Sequence, residues 1–198
     1  VSDTAADYRL GLTEPYFLNR NLSGSFEVFN EDVQADTVDI EKKGFSTSVY
    51  FGAADDYYHR VGYDLTRNST MQKSSEATSR TGEENKSLTS SSVRYILGRR
   101  TLDNIYDPTE GSMFEITEEY SGLGGDVNFL KTRLRSAYYK PFAFRKYVLG
   151  IRGEIGYVDG LGDKIAQSAR FNLGGRRLRG FDAGGIGPRD IGSGSAVG

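Results

Sequence analysis

A chain of 198 residues is long enough for one domain with a sizeable core, and its net charge of −2 gives no general signal for nucleic-acid binding. It contains no cysteine, so this sequence has neither a disulfide framework nor a thiolate metal site. It contains one histidine, His59, which disfavours a histidine-based zinc site and a Ser-His-Asp triad. No apolar run approaches the ~18–20 residues of a membrane-spanning helix, so helical insertion is excluded.

The aromatic and glycine content indicates a different class of protein from the one that mean hydropathy favours. With 37% hydrophobic residues and a mean hydropathy of −0.51, the composition by itself favours a soluble protein. Yet 12% of residues are aromatic, and the chain contains 13 Tyr, 11 Phe and 25 Gly. Because only every second strand residue faces lipid in a membrane barrel, this mixture is also typical of that fold.

Alternation of apolar and polar residues predicts eight strands with no helix between them. In chain order they cover residues 8–13, 22–29, 45–51, 60–66, 93–98, 114–120, 130–138 and 147–157. The last is the clearest, with an apolar side made of Tyr147, Leu149, Ile151, Ile155 and Tyr157. In the sixth strand Glu118 is a misfit, because it falls on the apolar side.

The predicted connections alternate in character. Residues 18–21, 53–58, 101–111 and 142–146 read as turns, whereas 31–43, 68–92, 121–128 and the tail from 159 read as longer or more polar loops. Residues 68–92 are too polar to pack and predict a mobile surface loop. This asymmetry, with aromatics near strand ends, is typical of an up-and-down outer-membrane barrel with interfacial girdles: Tyr8, Tyr16, Phe17, Tyr57, Tyr58, Tyr120, Tyr138, Tyr147 and Tyr157.

A soluble antiparallel sandwich or barrel also alternates, with the apolar face as its core. The polar face here argues against it, since it is rich in glycine and combines charges of both signs, as a barrel lumen would. The charges expected to face the lumen include Glu115, Glu119, Arg133, Arg135, Arg152 and Glu154.

The C-terminal segment combines glycines with arginines between residues 170 and 190. Glycines allow sharp turns and close approaches of the backbone, and guanidinium groups suit carboxylates. The simplest alternative is a mobile glycine-rich loop whose arginines are only solvated. The residues that carry the candidate motif are Gly174, Gly175, Leu178, Arg179, Gly180, Phe181, Gly187 and Pro188.

These motif residues resemble the BamA family of outer-membrane protein assembly factors. That family has Gly-Gly, then Val or Ile followed by Arg-Gly-Phe, then Gly-Pro; Leu178 is a mild departure that keeps an apolar side chain. Further resemblance lies in Glu14-Pro15-Tyr16-Phe17, in residues 100–111 and in residues 157–162, so it covers essentially the whole chain.

The resemblance implies an all-β, antiparallel up-and-down transmembrane barrel. About eight of sixteen strands would lie in residues 1–162, and residues 163–198 would form part of an inward-folded extracellular loop. The closing strands and the periplasmic POTRA domains would lie outside this sequence. Within the loop, Arg179 is expected to bridge carboxylates of the missing strands inside the lumen, Phe181 to anchor the loop and Gly180 to permit the turn.

The resemblance further implies a protein of the bacterial outer membrane that folds and inserts β-barrel proteins without ATP. It would not be an enzyme, and it would need no metal or cofactor. Expected partners are unfolded outer-membrane proteins, accessory lipoproteins, the lipid bilayer and lipopolysaccharide, and no nucleic acid. A TamA-like assembly factor and a two-partner secretion transporter remain open as alternatives, and a passive porin is a third.

Overall fold

A computed structural model describes residues 6–34, 38–53, 55–72, 86–144, 146–162, 165, 170, 171 and 180. Eight strands occupy most of this part of the chain: β1 (Ala6–Glu14), β2 (Ser23–Gln34), β3 (Val38–Gly52), β4 (Tyr57–Gln72), β5 (Lys86–Arg100), β6 (Gly111–Ser121), β7 (Phe129–Phe142) and β8 (Tyr147–Gly160). The one helical element among the described residues is a 3-10 turn at Phe17–Asn19. None of the described helical structure has the length and apolar character needed to cross a membrane.

The strands form one sheet in which each strand pairs with its neighbour in sequence, in the order β1 to β8. Every pairing is antiparallel. The predicted all-β, up-and-down architecture with eight strands is therefore confirmed. Within the described residues β1 and β8 do not pair with each other, so the sheet is open at both edges.

The register of the strands separates two faces. Val28, Phe45 and Leu65 lie side by side on one of them, which we call the apolar face. Arg94 and Glu119 are cross-strand partners on the opposite one, the polar face. Since side chains alternate with a period of two, this assignment extends along every strand.

Large apolar side chains on the apolar face are exposed rather than packed. On the inner strands, Phe26 is 47% exposed, Val61 is 45% exposed and Tyr138 is 47% exposed. These residues contribute to the fold only if something other than this chain covers them, and an apolar band of this kind is the lipid-facing surface of a membrane barrel.

The polar face is the concave one. Strands β1 to β7 line a single cavity on it, which a flat sheet would not allow, through residues that include Arg9, Glu27, Lys42, Asp64, Arg94, Glu119 and Lys131. A small apolar cluster closes one end of this cavity, where Val127 and Phe129 are buried against Leu88, Val158 and Ile165.

The structure corrects two predicted loops. Strand β2 continues to Gln34 and β3 begins at Val38, so the predicted loop at 31–43 consists mostly of paired strand. Strands β4 and β5 extend in the same way into the predicted loop at 68–92, and residues 73–85 lie outside the described residues. Apolar alternation was the wrong criterion here, because antiparallel strands are held by their backbone hydrogen bonds and can pair without an alternating apolar pattern.

These extended hairpins distinguish the two ends of the sheet. We call the end with the β2–β3 and β4–β5 hairpins the extended end, and the end with residues 53–56, 101–110 and 143–146 the turn end. The turn at 101–110 is ordered by Asp103, whose carboxylate accepts hydrogen bonds from the Thr109 hydroxyl at 2.6 Å and the Glu110 amide at 3.1 Å. These bonds, the Thr109 hydroxyl first, lower the pKa of Asp103 to about 2.

Candidate functional site on the polar face

The six charges predicted to face the lumen all lie on the polar face, on three neighbouring strands. Glu115 and Glu119 belong to β6, Arg133 and Arg135 to β7, and Arg152 and Glu154 to β8. The register places Arg135 directly between Glu115 and Glu154. Opposite charges on adjacent strands stabilise a sheet, so these residues support each other as well as lining the cavity.

Glu115 is the most enclosed carboxylate of this network, with a side chain that is 12% exposed. Its Oε1 lies 2.7 Å from Arg135 Nη2, an ion pair without the alignment of a hydrogen bond. The Tyr58 hydroxyl donates to its Oε2 at 2.9 Å. Arg100 in turn donates to the Tyr58 hydroxyl at 3.4 Å, and its guanidinium lies 5.0 Å from the Tyr58 ring centroid. One carboxylate thus ties together β4, β5, β6 and β7.

Tyr58 corrects one predicted role. It was assigned to an interfacial girdle, but it lies on the polar face and is buried, with 7% of its surface exposed. Its ring covers Gly98, where a Cβ atom would come within 2.1 Å of the ring. Because Gly98 is its direct cross-strand partner, the glycine provides the space that the ring fills.

A second tyrosine repeats this arrangement. Tyr139 is buried opposite Gly150, and a Cβ atom on that glycine would lie 3.0 Å from the ring. Arg152 donates from Nε to the Tyr139 hydroxyl and its guanidinium lies 5.4 Å from the ring centroid. Both tyrosines share one sequence signal: each lies directly opposite a glycine of the neighbouring strand. That signal can be read only once the strand register is known.

Three further ion-pair groups lie on the polar face. Arg94 lies between Asp64, at 3.3 Å, and Glu119, at 3.5 Å. Arg133 pairs with Glu154 at 3.4 Å. At the β1 edge Arg9 contacts both Glu27 and Glu31. Arg9, Arg94 and Arg133 therefore pair with carboxylates across strands, so the polar face is not one uniformly charged wall.

The segment after β8 returns to the polar face at Phe171. The Phe171 ring lies over Gly156, where a Cβ atom would approach it to 2.4 Å. Lys131 Nζ is 4.5 Å and Arg133 Cζ is 5.5 Å from the ring centroid, so two cations contact the same aromatic ring. We call the space formed by Gly156, Lys131 and Arg133 the Phe171 pocket.

Ile165 gives a second contact for the same segment, since it packs on the buried pair Val127 and Phe129. Arg170 donates from Nε to the carbonyl oxygen of Ile165 at 3.3 Å. Sequence reasoning missed Phe171, because its partner Gly156 lies in a different segment and neither residue carries a charge or a motif.

The motif residues are described at one position. Gly180 is exposed, in a turn, with φ +95°, a conformation that L side chains rarely adopt. This conformation fits the sharp turn predicted at that glycine. Outside the described residues lie the other motif positions: Gly174, Gly175, Leu178, Arg179, Phe181, Gly187 and Pro188.

Comparisons with known proteins agree with this architecture. A family model described as the Omp85 superfamily domain matches residues 1–198. The outer membrane protein assembly factor BamA of Neorickettsia risticii is 29% identical over 156 residues, covering 78% of this chain and 21% of the relative. The BamA of Nitratidesulfovibrio vulgaris is 29% identical over 166 residues, covering 81% of this chain and 21% of the relative.

The fold has a solved counterpart. The crystal structure of BamA from Haemophilus ducreyi lacking POTRA domains 1–3 aligns with a TM-score of 0.79 and 21% identity, over 96% of this chain and 40% of that structure. The chain spans about a fifth of the length of the curated relatives that it matches. The resemblance inferred from the sequence is therefore confirmed.

Proposed function

The chain belongs to the Omp85 superfamily, and from this premise we propose that it is a barrel segment of a BamA-type assembly factor. Such a factor folds and inserts β-barrel proteins into the bacterial outer membrane without ATP. The curated relatives carry the name of outer membrane protein assembly factor, and the chain is placed in the same membrane.

The observation that carries this proposal is the return of Phe171 to the polar face. A passive porin can also fold a constriction loop into its lumen, but that loop would lack Arg-Gly-Phe, whereas the segment that returns here leads into those residues. The Phe171 pocket fixes the chain shortly before the Gly-Gly and Arg-Gly-Phe residues. We therefore propose that residues 163–198 form the inward-folded loop and that residues 1–162 form the barrel wall beneath it.

Within that loop we propose Arg179 as the charged tether and Phe181 as its neighbouring anchor. The predicted lumen carboxylates of β6 and β8 already pair with arginines, as Glu115 does with Arg135 and Glu154 with Arg133. The carboxylate that would hold Arg179 thus belongs to another part of the complete barrel. A bidentate guanidinium in a water-poor lumen is a strong tether, and removing one partner of such a buried pair costs about 3–5 kcal/mol.

The ion-pair network would serve this function as a rigid support. It involves no bond-making step, and we propose that the protein is not an enzyme. Proposed clients are unfolded outer-membrane proteins, which would add strands by edge pairing at a seam of the complete barrel. Accessory lipoproteins, the bilayer and lipopolysaccharide complete the proposed partners.

The test replaces Gly156 with valine in the full-length protein, reconstituted in lipid vesicles. The new side chain would overlap the Phe171 ring, and overpacking of this kind costs about 1–3 kcal/mol. We expect the loop to become sensitive to protease and the insertion of an added unfolded client barrel to fall about 10-fold. The measurement is the fraction of client that becomes folded.

Gly153→Val is the matched control, because no atom lies within 4 Å of a Cβ there and the residue faces the apolar side of the same strand. It should retain parental insertion. If the folded parental protein inserts no more client than empty vesicles do and shows a steady ion conductance in planar bilayers, it is a passive porin and the proposal is wrong.

A further inference from the structure

Two cations stand directly opposite each other on the apolar face. Lys43 of β3 and Arg67 of β4 are cross-strand partners near the extended end. Asn30 and Thr89 continue the same row on either side. The next row toward the turn end contains Val28, Phe45 and Leu65. A polar row therefore borders an apolar one on the surface that faces lipid.

These rows line one groove of about 960 Å³, whose lining includes all four members of the polar row together with Phe26, Val28, Phe45 and Leu65. Phe26 and Phe45 form the centre of its floor, with ring centroids 6.0 Å apart. Phe26 is 47% exposed and Val28 is 44% exposed, so an acyl chain can reach the floor from the membrane side.

The charges around the groove are incompletely neutralised. Like charges directly opposite on adjacent strands destabilise a sheet. Lys43 pairs with Glu41 at 2.8 Å, and Arg67 donates from Nε to Ser87 at 2.7 Å. Among the described residues, the two terminal nitrogens of Arg67 have no hydrogen-bond partner.

Asn30 supplies an independent sign of a missing partner. Its Oδ1 is buried and accepts no hydrogen bond from the residues that the structure describes. A buried acceptor without a donor costs about 1–3 kcal/mol. An anionic phosphate would neutralise the opposed cations, and rotation of the Asn30 amide toward the groove would let its oxygen accept from a hydroxyl of the same headgroup.

We propose that this groove binds an anionic membrane lipid that carries a phosphate group. Its phosphate lies between Lys43 and Arg67, and its acyl chain lies along Phe26, Phe45 and Leu65. Guanidinium and ammonium groups at a membrane surface attract such headgroups, while the floor provides the apolar contact. This inference goes beyond protein assembly, because it requires a membrane barrel and does not depend on whether the barrel inserts clients.

The test uses the full-length protein in vesicles and a tryptophan probe on the floor of the groove. This chain contains no tryptophan, so Phe26→Trp adds one fluorophore, and the spectrum of the protein without it is subtracted. Brominated phosphatidylglycerol and brominated phosphatidylcholine are compared as quenchers. We expect phosphatidylglycerol to reach half-maximal quenching at a mole fraction about 5–10-fold lower.

Three variants of the probe protein follow. Lys43→Gln with Arg67→Gln should remove the preference for phosphatidylglycerol. Glu41→Gln should increase it, because Lys43 loses its competing carboxylate. Arg99→Gln is the matched control, since Arg99 is a cation on the same face at the turn end, stacked 5.7 Å from the Tyr57 ring centroid. It should leave the preference unchanged.

Equal quenching by the two lipids in the Phe26→Trp protein would overturn the proposal. So would a preference that survives the double glutamine variant, since the anion would then bind elsewhere. Inorganic phosphate at millimolar concentration should not relieve the quenching; if it does, the site recognises a free anion and not a membrane lipid. None of these results depends on client insertion, so the lipid site and the assembly function are tested independently.

Discussion

The two faces of the sheet are built from alternate residues of the same eight strands, yet they are stabilised in different ways. The apolar face leaves large side chains such as Leu10 and Ile155 exposed, with no partner surface among the described residues. On the polar face, Glu115 and Tyr58 satisfy each other within the chain. The first face depends on the surrounding lipid, and the second depends on specific pairs.

This difference teaches which substitutions each face tolerates. A face that contacts lipid selects for apolarity and accepts many apolar residues, because lipid chains adapt to shape. A face built from ion pairs and aromatic rings over glycines selects for particular partners, as Tyr58 over Gly98 shows. Charge should therefore be costly on the apolar face and removal of a partner costly on the polar one.

The largest effect is expected from a charge placed on each face in turn. Ile96 and Leu97 are adjacent in β5, of equal size, and point to opposite faces. Leu97→Lys should destabilise the protein by about 2–3 kcal/mol, in the lower part of the roughly 2–4 kcal/mol midplane cost, because Leu97 lies two residues from Arg99 at the turn end. Ile96→Lys, on the polar face opposite Arg60 and Thr117, should cost under about 1 kcal/mol. The measurement is the free energy of unfolding by urea in lipid vesicles.

The comparison of these two lysine variants tests the strand register, because a shift of one residue exchanges the two faces. If the lysine at 96 proves the more destabilising of the two, the apolar face is not the one that meets lipid. Equal costs at both positions would show that neither face is in contact with lipid at this depth.

The sequence could predict the fold but not every contact, for reasons that particular residues make clear. Period-two alternation places Leu149 and Arg152 on opposite faces without any structure. The same rule failed between residues 31 and 43, where the strands pair through their backbone although the side chains do not alternate. Tyr58 was misplaced because proximity to a strand end does not reveal a residue's face.

The candidate site was predictable in part for the same reason. The six lumen charges follow from alternation alone, so the structure could place them as expected on one face. The Phe171 pocket could not be anticipated, because Gly156 and Phe171 meet only through the return of the chain. The tether proposed for Arg179 stays a prediction, since that residue lies outside the described residues.

An intermediate effect is expected when an enclosed ion pair on the polar face loses one partner. Arg135→Met leaves Glu115, 12% exposed, without its cation. We expect a loss of about 2 kcal/mol, below the 3–5 kcal/mol of a fully buried pair because Arg135 itself is 42% exposed. Arg9→Met is the control, since that arginine is 58% exposed and its pairs should contribute under about 1 kcal/mol. The same urea titration measures both variants. Similar losses of unfolding free energy would contradict the expectation that the more enclosed ion pair contributes more.

The smallest effects are expected at two adjacent glutamates on opposite faces, where the same substitution should change stability in opposite directions. Glu118 lies on the apolar face and accepts a hydrogen bond from the Thr132 hydroxyl at 2.8 Å, whereas Glu119 lies on the polar face 3.5 Å from Arg94. A carboxylate on a lipid face destabilises a barrel by less than the roughly 2–4 kcal/mol that Lys or Arg costs. Removing this carboxylate regains that cost but loses the hydrogen bond to Thr132, which contributes about 1 kcal/mol. Glu118→Leu should therefore stabilise the protein by up to about 1 kcal/mol.

Glu119→Leu should change stability in the opposite direction, by under about 1 kcal/mol, because Arg94 keeps Asp64 as its remaining partner at 3.3 Å. Combining Glu118→Leu with Thr132→Val should stabilise further, since the hydroxyl no longer lacks a partner in lipid. Both glutamates have the same side chain and neighbouring positions, so the comparison tests the medium and the partner that each face provides. A destabilising Glu118→Leu would mean that this carboxylate has a polar partner in the complete barrel, and the apolar face would then be interrupted at β6.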